Sequence, residues 1–330
     1  MANETVDGSN ALIIIGMHRS GTSLVASMLH SAGLDVGKQL MSAHESINAK
    51  GFYENLDFVR FHEQVLESLG ESRFGWTTKI NLRVPETQAP LVDDLLARNS
   101  SDGAWGWKDP RTTLFLQYWS ERLPKANFIF VHRPPWEVID SLYRRGDQEF
   151  QSSPRLAVDI WTSYNRAILN FMDRNSDRGL LTGLQSIVDN PAMFIERANE
   201  RFKLELKKPA NDIFDEKLIE RSSSKTNQAV VIQKFFPECR DTYAELLRRS
   251  DPIGGRKIEL DDATISDAEL GDVFLNEWAS ARNAQRELKN GSKTLYDVRS
   301  QLFHTNEKLQ ALERSRFWKL RNIVHRLKRT

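Results

Sequence analysis

Five consecutive residues, Arg19-Ser20-Gly21-Thr22-Ser23, place one guanidinium, three hydroxyls and a glycine immediately before a helical pattern. A helix start offers unpaired N–H groups and the positive end of the helix dipole, so this loop is built to hold a phosphate-like anion. A nucleotide-binding phosphate loop reads G-x-x-x-x-G-K-[ST]. Gly16 and Gly21 keep its spacing and Ser23 keeps its hydroxyl, but Thr22 stands where the lysine belongs. The cation is Arg19 instead, three residues earlier. A triphosphatase needs that lysine on the β- and γ-phosphates and Mg²⁺ on the hydroxyl, so the loop is set for a different, shorter anion. Two further groups carry chemistry of the same kind: Trp107-Lys108-Asp109-Pro110-Arg111, and Arg133 followed eight residues later by Ser141. His18 flanks the loop and either touches a ligand or serves the core.

The elements that position these groups follow from periodicity. Leu12, Ile13, Ile14 and Ile15 form a short continuous apolar run, suited to a strand buried on both faces of a parallel sheet. The helix after the loop carries Leu24, Val25, Met28 and Leu29 on one side. Trp105 and Trp107 mark a second short strand that ends at Lys108, with Pro110 opening a helix. NFIFVH (127–132) is a third strand and delivers Arg133. A helix from Trp136 to about Arg145 then carries Ser141. Residues 56–69, 91–97, 155–174 and 192–202 read as helices, the last capped by Asp189-Asn190-Pro191, and GLLTGLQSI (179–187) as a fourth strand. Alternating strands and helices with short links predict an α/β fold with a central parallel sheet between helical layers. Ligands of such sheets sit beyond the carboxyl ends of the strands, which puts Arg19, Lys108 and Arg111 on one rim.

Composition bounds the partners. The chain has 330 residues, formal net charge +1 and 28% charged residues, with mean hydropathy −0.51. Bulk charge gives no sign of nucleic-acid binding. The single cysteine, Cys239, excludes an intramolecular disulfide and a cysteine-rich metal site. MANETVDGSN (1–10) is polar, lacks a basic segment and reads as a disordered start. No signal peptide or membrane span is expected.

The motifs together resemble the sulfotransferases that use 3′-phosphoadenosine-5′-phosphosulfate (PAPS). HRSGTS (18–23) is similar to the family's 5′-phosphosulfate loop, and VHRPPWEVIDSLYRR (131–145) to its 3′-phosphate motif. WKDPR (107–111) is similar to a stretch of bacterial members. The resemblance covers about residues 11–207 and implies a P-loop-like three-layer fold and no metal. It implies that Arg19, Ser20, Gly21, Thr22 and Ser23 hold the 5′ side, with Arg19 beside the bridging oxygen, and that Arg133 and Ser141 read the 3′-phosphate. Lys108 and Arg111 would meet the sulfuryl oxygens, or else pair with neighbouring acids such as Asp109. Relatives with arginine in the loop use a glutamate after the first helix as the base. Here Glu54, beside Phe52 and Tyr53, is preferred to Glu45, which has His44 nearby. The expected reaction is sulfuryl transfer to a hydroxyl of a carbohydrate or glycolipid.

Two departures leave the substrate side open. Leu184-Gln185-Ser186-Ile187 replaces an acidic segment, and neither a histidine base near WKDPR (107–111) nor an Arg-Lys-Gly adenine loop is present. The rival readings are a P-loop nucleotide kinase or triphosphatase, and a non-catalytic sulfotransferase-like protein at a membrane surface.

Beyond the α/β domain (11–250) the sequence predicts a linker and helical segment (251–294) and a helical extension (295–330). Leu295, Val298, Leu302, Leu309 and Leu312 have coiled-coil spacing, with Thr305 in one slot, which offers self-association through 295–312. The tail from Arg314 to Thr330 has seven Arg or Lys and no acid, with an apolar stripe. It either docks on its own domain or lies on anionic lipid. A cytoplasmic protein is expected, and contact with the inner face of the membrane is the alternative the tail leaves open.

Overall fold

A computed structural model describes residues 6–41, 53–209, 227–255 and 260, and in the C-terminal segment residues 277, 281, 284, 287–288, 291–292, 294–308 and 310. The chain divides into two units, Met1–Ala263 and Thr264–Thr330. Glu45 and the basic tail lie outside the described residues.

Three parallel strands form the centre of the first unit: β1 (Leu12–Ile15), β2 (Asn127–His132) and β3 (Gly179–Gly183), in that order. The stretch around Trp105–Lys108 runs along the outer side of β1. Leu12 N donates to Trp105 O at 2.7 Å and Ile14 N to Trp107 O at 2.9 Å. Asp35 borders it in turn, through parallel bridging to Trp105. Gly106 permits this approach, because a Cβ there would lie 1.9 Å from Leu12 O.

Strand side chains alternate between two cores. Ile13, Ile15, Phe128, Phe130 and Leu181 face one layer, and Leu12, Ile14, Ile129, Val131 and Leu180 face the other. The first layer holds α2 (Leu56–Ser68), α3 (Ala89–Asn99), α4 (Leu116–Arg122), α5 (Pro135–Arg145), α6 (Gln148–Ser152), α7 (Arg155–Met172), α10 (Asn227–Phe235) and α11 (Pro237–Arg249). The second holds α1 (Thr22–Ser31), α8 (Leu184–Asp189) and α9 (Pro191–Phe202). This is the expected three-layer α/β arrangement, with the apolar runs buried on both faces.

Two elements differ from expectation. The expected strand at Trp105–Lys108 is reduced to isolated parallel bridges, Ala11 and Asp35 to Trp105 and Ile14 to Lys108. The predicted strand 179–187 stops at Gly183, and Leu184–Asp189 is helical. Gly183 pairs with His132, the last residue of β2, so no neighbour remains to extend the ladder. Leu184 instead turns onto the anion loop, where a Cβ on Gly21 would touch its side chain at 2.5 Å. Asn190 precedes α9 as expected but makes no side-chain capping bond. Within the expected linker, Asp251 N donates to Leu181 O at 2.8 Å and Ile253 is buried.

Candidate active site at the strand ends

The loop after β1 is shaped for an anion. Gly21 occupies the N-cap of α1 at φ 88°, so no side chain caps the helix, and its first turn carries no acid. Arg19 also sits in the left-handed region, at φ 68°. Such a conformation is uncommon outside glycine and is held here by surrounding contacts. The Ser20 hydroxyl is buried and has no partner among the described residues. The first turn of α1 thus starts at a loop with no acid of its own and no side-chain cap to occupy its amides.

The two separated motifs meet at this loop. Arg19 Nε donates to Ser141 Oγ at 2.8 Å across 122 residues of sequence. Arg133 Nη1 donates to Arg19 O at 3.3 Å, and Arg133 Nε to Glu137 Oε2 at 2.6 Å. The helical start at Pro135 fixes this register, because Arg133 leaves the end of β2 while Ser141 lies on the buried side of α5. Burial lowers the Arg19 guanidinium, and repulsion from Arg145, Arg133 and Arg144 lowers it further. Arg133, Arg144 and Arg145 are each paired with a carboxylate, Glu137, Asp140 and Asp147 in turn, whereas the Arg19 side chain donates to the Ser141 hydroxyl. Arg145 was not singled out in the sequence. Its signal was there: it stands four residues after Ser141, on the same face of one helix.

Lys108 occupies the other side of the loop. It is 1% exposed and donates to Glu54 Oε1 at 2.6 Å and to Ser23 Oγ at 3.1 Å. Burial lowers its ammonium, opposed by the Glu54 carboxylate. Glu54 is itself buried, just before α2, whose N-cap Asn55 accepts from Asp57 N at 3.0 Å. Lys108, Glu54 and Ser23 thus form one cluster, while the Arg19 side chain goes to Ser141. The ammonium that the loop lacks at position 22 arrives in space from the stretch beside β1.

Arg111 follows the ion-pair reading. Its Nη1 donates to Asp109 Oδ1 at 2.9 Å, its Nη2 to Glu63 Oε1 at 3.2 Å and its Nε to Arg73 O at 2.9 Å, and Glu54 Oε2 lies 3.9 Å from Nη1. Trp119 Nε1 donates to His62 Nε2 at 2.9 Å, so the His62 proton sits on Nδ1 and is donated to Asp109 Oδ2 at 2.8 Å. Burial alone would raise the Asp109 carboxyl. The Arg111 guanidinium and His62 outweigh it and hold Asp109 well below the usual carboxylate range.

His18 is buried between loop and core. Its ring meets Trp76 edge-on with centroids 4.6 Å apart, and Nε2 has no partner among the described residues. Burial, then the positive charge of Arg111, lowers its pKa well below the ordinary value. Among the described residues no group of three His, Cys, Asp or Glu side chains is placed to hold a metal ion, and no helix is long and apolar enough to cross a membrane.

The profile of the sulfotransferase family matches residues 11–206. Among solved structures the chain is similar to a sulfotransferase from Mycobacterium tuberculosis H37Rv, at 15% identity and TM-score 0.47, over 70% of this chain and 78% of that one. It is similar to the sulfotransferase domain of the Synechococcus PCC 7002 olefin synthase, at 18% identity and TM-score 0.41, over 73% and 95%. A sulfotransferase from Alicyclobacillus acidocaldarius aligns at 12% identity and TM-score 0.43, over 74% and 98%. No curated protein matches the chain.

Proposed function

The chain belongs to the sulfotransferase family, and on that premise we propose that it moves the sulfuryl group of PAPS to an acceptor hydroxyl. The observation that carries the reading is the Arg19–Ser141 hydrogen bond of 2.8 Å, which joins the two anion motifs into one cationic site. Backbone N–H groups of Gly21 to Ser23 and the Ser20 hydroxyl take the 5′-phosphate, and Arg133, Ser141 and Arg145 take the 3′-phosphate. Arg19 lies between these two groups. Charge-assisted donors of this kind suit phosphate oxygens.

The transfer is an in-line displacement, as for phosphoryl groups, in which positioning and electrostatics supply most of the catalysis. The acceptor O–H gives its proton to Glu54 as its oxygen bonds to sulfur. The bond between sulfur and the 5′-phosphate oxygen breaks, and 3′-phosphoadenosine-5′-phosphate (PAP) leaves with that electron pair. Lys108, beside Ser23, offers its ammonium to the oxygens that gain charge. Its present bond to Glu54 keeps both groups at the transfer point before the acceptor arrives.

Carbohydrate hydroxyls are the first acceptors to test. Trp76 and Tyr164 stand beside His18, and the buried Trp76 Nε1 and His18 Nε2 have no partner among the described residues. These side chains are buried, Tyr164 with its hydroxyl on Gly75 O at 2.9 Å, so the acceptor class rests on the transfer assay. The acceptor class is read out by transfer of label from PAPS to a panel of glycans, glycolipids and phenols.

The cofactor reading is tested by calorimetry with PAP and adenosine 5′-phosphosulfate. Arg133→Ala and Ser141→Ala each weaken PAP binding by about 1.5–3 kcal/mol, the cost of a lost charged hydrogen bond. They leave the ligand without a 3′-phosphate nearly unaffected. Equal losses for both ligands would remove the 3′-phosphate assignment.

A further inference from the structure

Arg111 stands beside the base, yet its guanidinium is committed elsewhere. Nε donates to Arg73 O at 2.9 Å, Nη2 to Glu63 Oε1 at 3.2 Å and Nη1 to Asp109 Oδ1 at 2.9 Å. These acceptors come from the loop after α2, from α2 itself, and from the residue that caps a short 3-10 helix at Pro110–Phe115. A planar fork pinned on three sides has little freedom to swing. The same Nη1 stops 3.9 Å from Glu54 Oε2, near enough for an ion pair but too far for a hydrogen bond.

The two carboxylate oxygens of Glu54 therefore differ. Lys108 takes Oε1 at 2.6 Å. Oε2 accepts no hydrogen bond among the described residues, and its lone pairs stay open to an incoming proton. A guanidinium without its other partners would close on Oε2, because charge-assisted pairs shorten to about 2.7–2.9 Å. A carboxylate closed in that way, with Lys108 on its other oxygen, is a poor proton acceptor. Burial works against the Arg111 charge, and Asp109 first, then Glu54, uphold it. Asp109 is thus the stronger of the two claims on Arg111.

Asp109 is itself fixed from behind. It is fully buried, its Oδ1 also accepts Arg111 N at 3.0 Å, and its Oδ2 accepts His62 Nδ1–H at 2.8 Å. The His62 ring stacks on Phe115 with centroids 5.4 Å apart, and Trp119 Nε1–H on its Nε2 keeps the proton on the side of Asp109. A buried network whose members are all paired fixes geometry more than it adds stability. We propose that Asp109 and His62 are positioning residues for the transfer: they hold the Arg111 guanidinium short of Glu54, so that Oε2 remains the atom that takes the acceptor's proton. This rests on Glu54 being the base.

The first readout is a crystal structure of Asp109→Asn, which needs no acceptor. Asparagine keeps the helix cap, since its carbonyl oxygen still accepts from Arg111 N, but it carries no charge. The expected result is Arg111 Nη1 within about 3.0 Å of Glu54 Oε2. A separation unchanged from 3.9 Å overturns the proposal. The second readout is steady-state PAP release from PAPS, with the panel acceptor that takes most label. Asp109→Asn lowers kcat by about 10²-fold, the low end for a disabled base, with PAP affinity unchanged by calorimetry. Asp109→Asn/Arg111→Met has no guanidinium to close on Glu54, and regains about tenfold in kcat over Asp109→Asn, a coupling that loss of packing does not produce. A double variant no faster than Asp109→Asn overturns the proposal. If Asp109→Asn does not fold, His62→Phe carries both readouts, since it keeps a ring on Phe115 and removes the donor to Asp109. His62→Asn restores a donor near the place of Nδ1 and recovers the turnover that His62→Phe loses; equal turnover in the two overturns the proposal. Glu54→Gln in the same assay separates this inference from the reading beneath it. An inactive Glu54→Gln beside a fully active Asp109→Asn overturns the positioning role alone, whereas an active Glu54→Gln overturns the base assignment and the positioning role with it.

Discussion

Lys108 and Glu54 are both almost fully withdrawn from water, and each is the other's nearest opposite charge, at 2.6 Å. A buried pair of this kind adds little net stability, since desolvation offsets much of the attraction. Its value here is location, because the same ammonium reaches Ser23 of the anion loop. Glutamine at position 54 keeps the shape and hydrogen bonding of glutamate but cannot accept the proton. Glu54→Gln is therefore expected to leave PAP affinity intact and to lower turnover by about 10²–10⁴-fold, the usual contribution of a general base. A melting curve on the same sample checks the fold, since Lys108 loses its counter-charge. If Glu54→Gln turns over normally and Glu45→Gln does not, the base is Glu45.

The stretch that delivers Lys108 depends on how closely it lies against β1. Gly106 sits so tightly on Leu12 that the alternative contact is with backbone, which cannot swing aside as a side chain can. Gly106→Ala is expected to cost about 1–3 kcal/mol, as for other overpacked sites. For a domain of this size that lowers Tm by roughly 2–4 °C per kcal/mol. It also shifts Lys108, two residues on, so PAP release in the transfer assay falls more than the change in Tm explains. Gly103, whose added Cβ meets open space, is the control. Equal Tm and activity in Gly106→Ala and Gly103→Ala would show that the strand contact positions nothing.

At the scale of the whole molecule, one buried histidine ties the sheet to the last helix of the domain. Ser250 gives its proton to Leu246 O, so His132 Nε2–H donates to Ser250 Oγ, at 2.6 Å. Burial lowers this imidazole from 6.5 to about 4. Between those values the unfolded chain takes up a proton that the native chain refuses, so stability is full above pH about 6.5 and falls as pH drops towards 4. From pH about 7.5 to pH about 5 the group accounts for roughly 2 kcal/mol. His132→Gln, measured against wild type by urea denaturation at both pH values, is expected to lose less stability on acidification by about that amount. Identical losses would place the acid sensitivity elsewhere, with buried His18 the next group to test.

The local elements were legible because they rest on local causes. Continuous apolar runs gave β1 and β2 their place inside a parallel sheet, and 3.6-residue periodicity gave α2, α5, α7 and α9. The anion loop could be read from five adjacent residues, since a helix start and its hydroxyls are contiguous in the chain. The end of β3 could not be read this way. GLLTGLQSI carries leucine or isoleucine on both sides of Gly183, and only the length of its neighbour β2 decides that pairing stops there. Nor could the chain say which cation stands where. Sequence distance puts Arg19 in the loop and Lys108 far from it, yet parallel packing against β1 carries Lys108 to Ser23, while the left-handed backbone at Arg19 accompanies a side chain turned to Ser141. Arg111 likewise has spacing that suits a ligand contact, and only the arrival of Asp109, Glu63 and the Arg73 carbonyl around it makes it a partner of protein groups. Residue types and local periods are fixed by the chain itself. Which charge faces which depends on contacts between residues tens to more than a hundred positions apart, and those exist only once the sheet has assembled.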